Sequence, residues 1–265
     1  MKNYNDILAR YTRMRAAGIE MNNAMMDLAN TVVQQAAKDL GLFHKGSLTI
    51  DESEVPVLLD HAIHHRFDGV RNVAERYAAS RPAEALTDAA AVQAAWERVF
   101  FSIFRIDKKV PGVGAHVTDV LRDQKYFLAD NHLGTTAVQH VVLAARLLPF
   151  AGFHMTTGAP QVVGAATLER VGDKLHQEDL SHEDIREMPP VWWAQFETLT
   201  IRSCLHDGQA MNTQLRYGDV QARKRPAGDG PDDDRSTPPG NPAYVGRNKP
   251  CPCGSGKKHR KCCGR

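Results

Sequence analysis

Val99-Phe100-Phe101-Ser102-Ile103-Phe104-Arg105-Ile106 is the stretch on which the reading of the fold turns. It is aromatic and β-branched, which favours a strand over a helix. Pro111-Gly112-Val113-Gly114 follows, and that is turn chemistry. Further runs of the same character lie at Ala115–Leu121, Lys125–Ala129, Val141–Phe150 and Phe153–Thr157, and Gly158-Ala159-Pro160 closes the series. Five strands joined by short turns predict a small β-barrel-like domain, SH3-like or OB-like, over residues 98–165.

Upstream the period is helical. Tyr4, Ile7, Leu8, Tyr11 and Met14 share one face over residues 4–17, and Gly18 interrupts. A second helix is expected over about 20–40, with Met21, Met25, Leu28, Val32, Ala36 and Leu40 on its apolar side and Gly41 as the cap. The methionine stripe reads as core. Ser47–Asp51 reads as a short extended piece, followed by helices near 54–66, 69–80 and 83–97. The helix at 54–66 carries Asp60, His61, His64 and His65, with Asp68 just beyond it. His61 and His65 are spaced i,i+4, the geometry of two metal ligands on one face, but no H-E-x-x-H accompanies them. A solvated polar face is the expectation there. Residues 1–97 thus form an α-helical domain.

Downstream, residues 166–180 are helical, and Ser181-x-x-Asp184 has capping-box spacing. Pro189-Pro190 starts a helix to about 207, with Trp193, Phe196, Thr200, Ile201, Cys204 and Leu205 on its apolar face. Cys204 reads as a small buried hydrophobe. C-terminal helices therefore fill 166–218. From 219 to 245 the periodicity is lost in a segment rich in Pro, Gly and Asp, the composition of a flexible linker. The class is α+β.

The last twenty residues hold four of the chain's five cysteines: Cys251, Cys253, Cys262 and Cys263. The spacing is C-x-C, eight residues, then C-C. Four thiolates satisfy one tetrahedral Zn²⁺ at about 2.3 Å each, and Gly254 and Gly256 allow a tight reversal between the pairs. His259 is an alternative to one of the cysteines. So short a segment has no core of its own. The metal supplies its folding energy, about 10–16 kcal/mol for structural zinc. GSGKK is not a phosphate loop, because Cys251 and Lys258 stand where that loop needs Gly and Ser or Thr.

Gly246, Arg247, Asn248, Cys251, Pro252, Cys253, Gly254, Ser255, Gly256, Lys257, Lys258, Cys262 and Cys263 together resemble the SEC-C motif, the zinc-binding tail named after the C-terminus of the SecA translocation ATPase. The resemblance implies one structural Zn²⁺ and, as in some members, binding to a SecB-like chaperone or to ribosomes. It covers residues 246–265 only. The succession of strand, P-G-x-G, D-x-L and strand also looks like the β segment of uncharacterised bacterial proteins with this tail.

Charge sharpens the expectation. Residues 245–265 hold seven bases and no acid, leaving 26 bases against 31 acids elsewhere, a formal −5. A basic knob on an acidic body fits an anionic partner, RNA or an acidic protein face. Lys257, Lys258, Arg260 and Lys261 are the candidate contacts. No stretch has the apolar length of a membrane span, and there is no signal-type run at the start. With clustered thiols, the expected location is cytoplasmic. The leading reading is a zinc-binding adaptor protein. One alternative is an enzyme with an unrecognised site in the body. Another is a nucleic-acid binder using the tail with Arg105, Lys108, Lys109, Arg122, Lys125 and Arg146, and with Phe100, Phe101, Tyr126 and Phe153 for stacking.

Overall fold

The computed structural model describes residues 3–67 and 71–222, with backbone alone over 209–222. The chain divides into two units, Met1–Asp219 and Val220–Arg265. The predicted linker beyond 222 and the cysteine tail lie outside the described residues.

The body is mixed α and β. Helices α1 (Tyr4–Ala24), α2 (Met26–Asp39), α3 (Val55–His64), α4 (Val73–Ser80) and α5 (Asp88–Trp96) come first, with a hairpin of β1 (Phe43–His44) and β2 (Ser47–Leu48) after α2. Strands β3 (Phe100–Val110), β4 (Gly114–Asp119) and β5 (Gln124–Ala129) lead to a short α6 (Asn131–Thr136). Then come β6 (Val142–Phe150), β7 (Phe153–Thr156), β8 (Gln161–Val162), α7 (Ala165–Gln177), α8 (His182–Glu187) and α9 (Pro190–Ala222).

Five strands close into the expected barrel in the order β3-β4-β5-β7-β6, with β6 returning to β3. Ile106 faces Val117 across β3–β4, and Phe104 faces Leu143 across β3–β6. All these pairings are antiparallel except β5–β7. β8 only lengthens the edge of β6, pairing Val162 with Leu143. The Pro111–Gly114 turn works because Gly114 has no side chain: a Cβ there would lie 1.9 Å from the Leu128 carbonyl oxygen.

The apolar run that opens β3 has a physical cause. Phe104 and Ile106 point into the barrel, where they meet Val117, Leu128, Leu143 and Leu147. Leu133 of α6 and the following Ala137 join that core. Phe101 and Ile103, on the other face, join a second core with Leu40, Leu58, Phe196 and Leu205. A strand covered on both faces reads as continuous apolar sequence instead of alternation. A third core packs α1, α4 and α5 against Phe127, Leu148, Phe153 and Met155 of the barrel. Each such side chain contributes about 1.5–3 kcal/mol on burial.

Several expectations shift in detail. Gly18 does not break the first helix, which runs on to Ala24. A glycine inside a helix costs only about 1 kcal/mol, and buried Met14 and Met21 carry the stripe across this half-buried position. The second helix therefore starts at Met26. The extended piece is confined to Ser47–Leu48, paired through a turn at Lys45-Gly46 with positive φ at both. On α9, Trp192 instead of Trp193 is buried beside Phe196, and the helix extends beyond 207 to Ala222. The Ser181–Asp184 capping box is present as expected, and Cys204 is buried, with burial pushing its thiol up to about 11. Among the described residues, no helix is long and apolar enough to cross a membrane.

Candidate functional site

The site begins with a charge in an apolar strand. Along β6, Leu143, Ala145 and Leu147 enter the barrel interior. Ala144 and Leu148 face outward, each into a different helical core. Arg146 lies between them on the outward face, so it emerges at the seam of the two helical layers. It is 4% exposed. A guanidinium there requires partners, because an unpaired buried charge costs several kcal/mol.

α3 and α9 supply them. Arg146 Nη1 donates to Asp60 of α3, and Nη2 donates to Glu197 of α9. Glu197 Oε1 is the hub. It lies 3.0 Å from His65 Nδ1 and 3.4 Å from His61 Nδ1. The one-turn spacing on α3 stacks these two imidazoles, with ring centres 4.3 Å apart, and Phe67 meets both edge-on. Asn72 ties the next turn to the same place: its side chain donates to the His64 carbonyl at 3.2 Å while forming a capping box with Glu75 at the start of α4.

The electrostatics follow from burial and pairing. Burial alone would raise the Glu197 carboxyl, but Arg146 and the imidazoles outweigh it and hold the group well below the ordinary carboxylate range. Burial would lower the Arg146 guanidinium, and the two carboxylates reverse that. Burial lowers His61, with Glu197 opposing, and brings His64 to about 4. Three polar atoms in this region are buried without a hydrogen-bond partner: His61 Nε2, His64 Nδ1 and Arg146 Nε.

A cavity of about 750 Å³ opens beside the cluster. His65, Arg146 and Glu197 line it together with Phe100, Phe101 and Trp193. Arg122 also lines it, lying 3.8 Å over the Trp193 ring and 3.0 Å from Asp119. Apolar walls with a few fixed polar groups are the usual make-up of a small-molecule site. Asp39, at the end of α2, joins His61 and His65 in a group whose potential ligand atoms all lie within 4.8 Å of one another.

These placements correct the expectation of a solvated histidine face. His61 is fully buried and His65 is mostly so, because α9 covers that side of α3. They also remove some residues from the nucleic-acid face considered for the barrel. Phe101 and Phe153 are core residues. Arg105 pairs with Asp107 and Arg122 with Asp119, and Arg146 is interior. Cys251, Cys253, Cys262 and Cys263, with Lys257, Lys258, Arg260 and Lys261, lie outside the described residues. Sequence reasoning missed Asp39 and Glu197 as site residues and read Arg146 as a surface base. The signal for Arg146 was present: a lone charge within Leu143-Ala144-Ala145-Arg146-Leu147-Leu148. Nothing local marks Glu197.

Comparison with known proteins separates the same two parts. Residues 247–265 match the SEC-C motif, so the tail is of a metal-binding type. The protein translocase subunit SecA of Oleidesulfovibrio alaskensis is 49% identical over 57 residues, 21% of this chain and 6% of that protein. That of Thermodesulfovibrio yellowstonii is 45% identical over 53 residues, 20% and 6% respectively. For Carboxydothermus hydrogenoformans the figure is 81% over 21 residues, 8% of this chain and 2% of the other. The chain therefore spans only a few per cent of the length of these curated relatives. No solved structure matches it. Residues 5–184, more than half of the chain and most of the body just described, match one further model, and the chain belongs to that family, the family of unknown function DUF7986.

Proposed function

We propose that the chain is a cytoplasmic adaptor whose zinc-bearing tail docks on an anionic partner. The observation that carries this reading is the SEC-C match over 247–265, with all four cysteines of the motif in place. Cys251, Cys253, Cys262 and Cys263 would enclose one Zn²⁺. Four thiolates leave no coordination position for water or substrate, so this zinc is structural. Lys257, Lys258, Arg260 and Lys261 would make the contacts by charge. Residues 223–245, the part of the expected linker beyond α9, would span about 25 Å as a flexible coil, enough for the tail to search around the body. SecA proteins, whose tails it resembles, are translocase subunits. A SecB-like chaperone or the ribosome is therefore the partner class to test first.

The test is affinity capture with Lys257, Lys258, Arg260 and Lys261 all replaced by Ala. Capture should fall and zinc should stay bound. Capture that is unchanged and insensitive to salt would contradict the electrostatic contact.

A second reading concerns the body. The cavity beside His65, Glu197 and Arg146 supports small-molecule binding there. It joins a histidine to a carboxylate from a distant element, the arrangement an enzyme in the body would need.

A further inference from the structure

We propose that Asp39, His61 and His65 form a site for a divalent first-row transition metal, distinct from the cysteine tail. The three ligand atoms lie within 4.8 Å of one another. Tetrahedral donors at bond lengths of about 2.0–2.2 Å stand roughly 3.3–3.6 Å apart, so a small rotation closes the site around an ion. His61 and His65 present their rings from one face of α3 and its first residue beyond. Asp39 comes from the end of α2, where Gln35 donates to Oδ1 at 2.7 Å and leaves the other oxygen for the ion.

The outer contacts are those such a site requires. An imidazole that binds a metal through one nitrogen donates its other N–H to a carboxylate, which fixes the tautomer and the ring orientation. His65 Nδ1 makes this contact with Glu197 Oε1 at 3.0 Å, and His61 Nδ1 lies 3.4 Å from the same oxygen. Arg146 Nη2 donates to that oxygen as well. The same nitrogen also donates to His61 Nδ1 at 3.2 Å, since a guanidinium nitrogen has no lone pair with which to accept. For His61 Nε2 to hold an ion, the ring proton must move to Nδ1 and point to Glu197 Oε1, with Arg146 Nη2 then donating to the carboxylate alone. The same tautomer in His65 leaves its Nε2 the free lone pair. His61 Nε2 is buried and has no hydrogen-bond partner. That penalty is one a bound cation removes.

Charge and donor type agree. Asp39, Asp60 and Glu197 outnumber Arg146 when the imidazoles are neutral, so the cluster attracts a cation. Two imidazoles and one carboxylate suit Zn²⁺ or Fe²⁺ and not Mg²⁺ or Ca²⁺, which take oxygen ligands. Three protein ligands leave a position for water or a small oxygen ligand. His65 and Glu197 line the neighbouring cavity, which supplies the way in.

The test uses the full-length chain with Cys251, Cys253, Cys262 and Cys263 changed to Ser, so that the tail cannot bind. Co²⁺ is the probe. One equivalent should bind, giving visible d–d bands without thiolate charge transfer, and Zn²⁺ should displace it. His65→Ala should abolish the bands. Asp39→Asn, at a half-buried position outside the cores, should weaken binding at least tenfold with the circular dichroism unchanged. Glu197→Gln should cost about 10–100-fold through ring orientation. No bands in the parent variant would overturn the proposal, as would bands that survive both His65→Ala and Asp39→Asn. Because the tail is disabled throughout, failure of the adaptor reading and failure of this site are separate outcomes.

Discussion

The barrel interior and the seam outside it are buried to similar degrees by opposite means. The interior is filled by Phe104, Ile106, Val117, Leu128, Leu143 and Leu147, all apolar. At the seam, a residue one step along β6 brings in Arg146, and around it gather two carboxylates and two imidazoles. Apolar packing is non-directional and tolerates substitution that keeps volume. A buried charge cluster is directional and fails when one member is removed. The seam is therefore fastened less by area than by geometry: α3 and α9 must both be in register for Arg146 to reach Asp60 and Glu197. The same geometry fixes both histidine rings beside a cavity, which the interior core does not do.

The largest effect should come from breaking the seam. Arg146→Ala leaves Glu197 buried without its counter-charge, and should cost about 3–5 kcal/mol in a denaturant titration. Replacing Arg146, Asp60 and Glu197 together by apolar residues of similar volume should recover much of that loss. If the triple variant is as unstable as Arg146→Ala, the charge accounting is wrong. The interior comparator is Leu147→Ala, one position along the strand and fully buried. It should cost about 2–5 kcal/mol through lost contacts and a cavity. Unlike Arg146→Ala, it should leave the Co²⁺ site intact.

A smaller effect belongs to a second polar tie on α9. Asp207 accepts from Thr167 at 2.7 Å and from Arg170 at 3.1 Å. Burial would raise its carboxyl, but the hydrogen bonds from Thr167 and Arg170 outweigh this and lower it. A carboxyl depressed in the folded state stabilises fully above its unfolded pKa, and the contribution is lost as pH falls through the folded value. Asp207→Asn should therefore cost at most about 1 kcal/mol at neutral pH, since Arg170 is partly exposed. The difference from the parent should vanish in acid. A cost that is independent of pH would assign the effect to packing.

How much of this was legible in the residues differs between the same regions. The barrel was readable because turn residues at Pro111–Gly114 and β-branched, aromatic runs act locally. Its closure was the simplest use of five such strands. α6 escaped notice because its six residues span under two turns, too few to show an apolar stripe. Its one sign is Asp130, whose side chain caps the Leu133 N–H. His61 and His65 were visible as an i,i+4 pair. Their burial was not, because it depends on α9, whose Glu197 lies 132 residues beyond His65. Arg146 announced itself by interrupting an apolar run, yet its partners could not be named without the fold. The tail is the opposite case, since all four proposed ligands fall within a short local pattern.

The central claim is that Arg146 and Glu197 act as one unit that fastens α9 to the barrel and orients the histidines. A double-mutant cycle with Arg146→Met and Glu197→Gln, read by denaturant unfolding of the full-length chain, tests it most directly. The account predicts that the two changes are strongly non-additive, with a coupling of about 1–3 kcal/mol. Additivity within about 0.5 kcal/mol would contradict it.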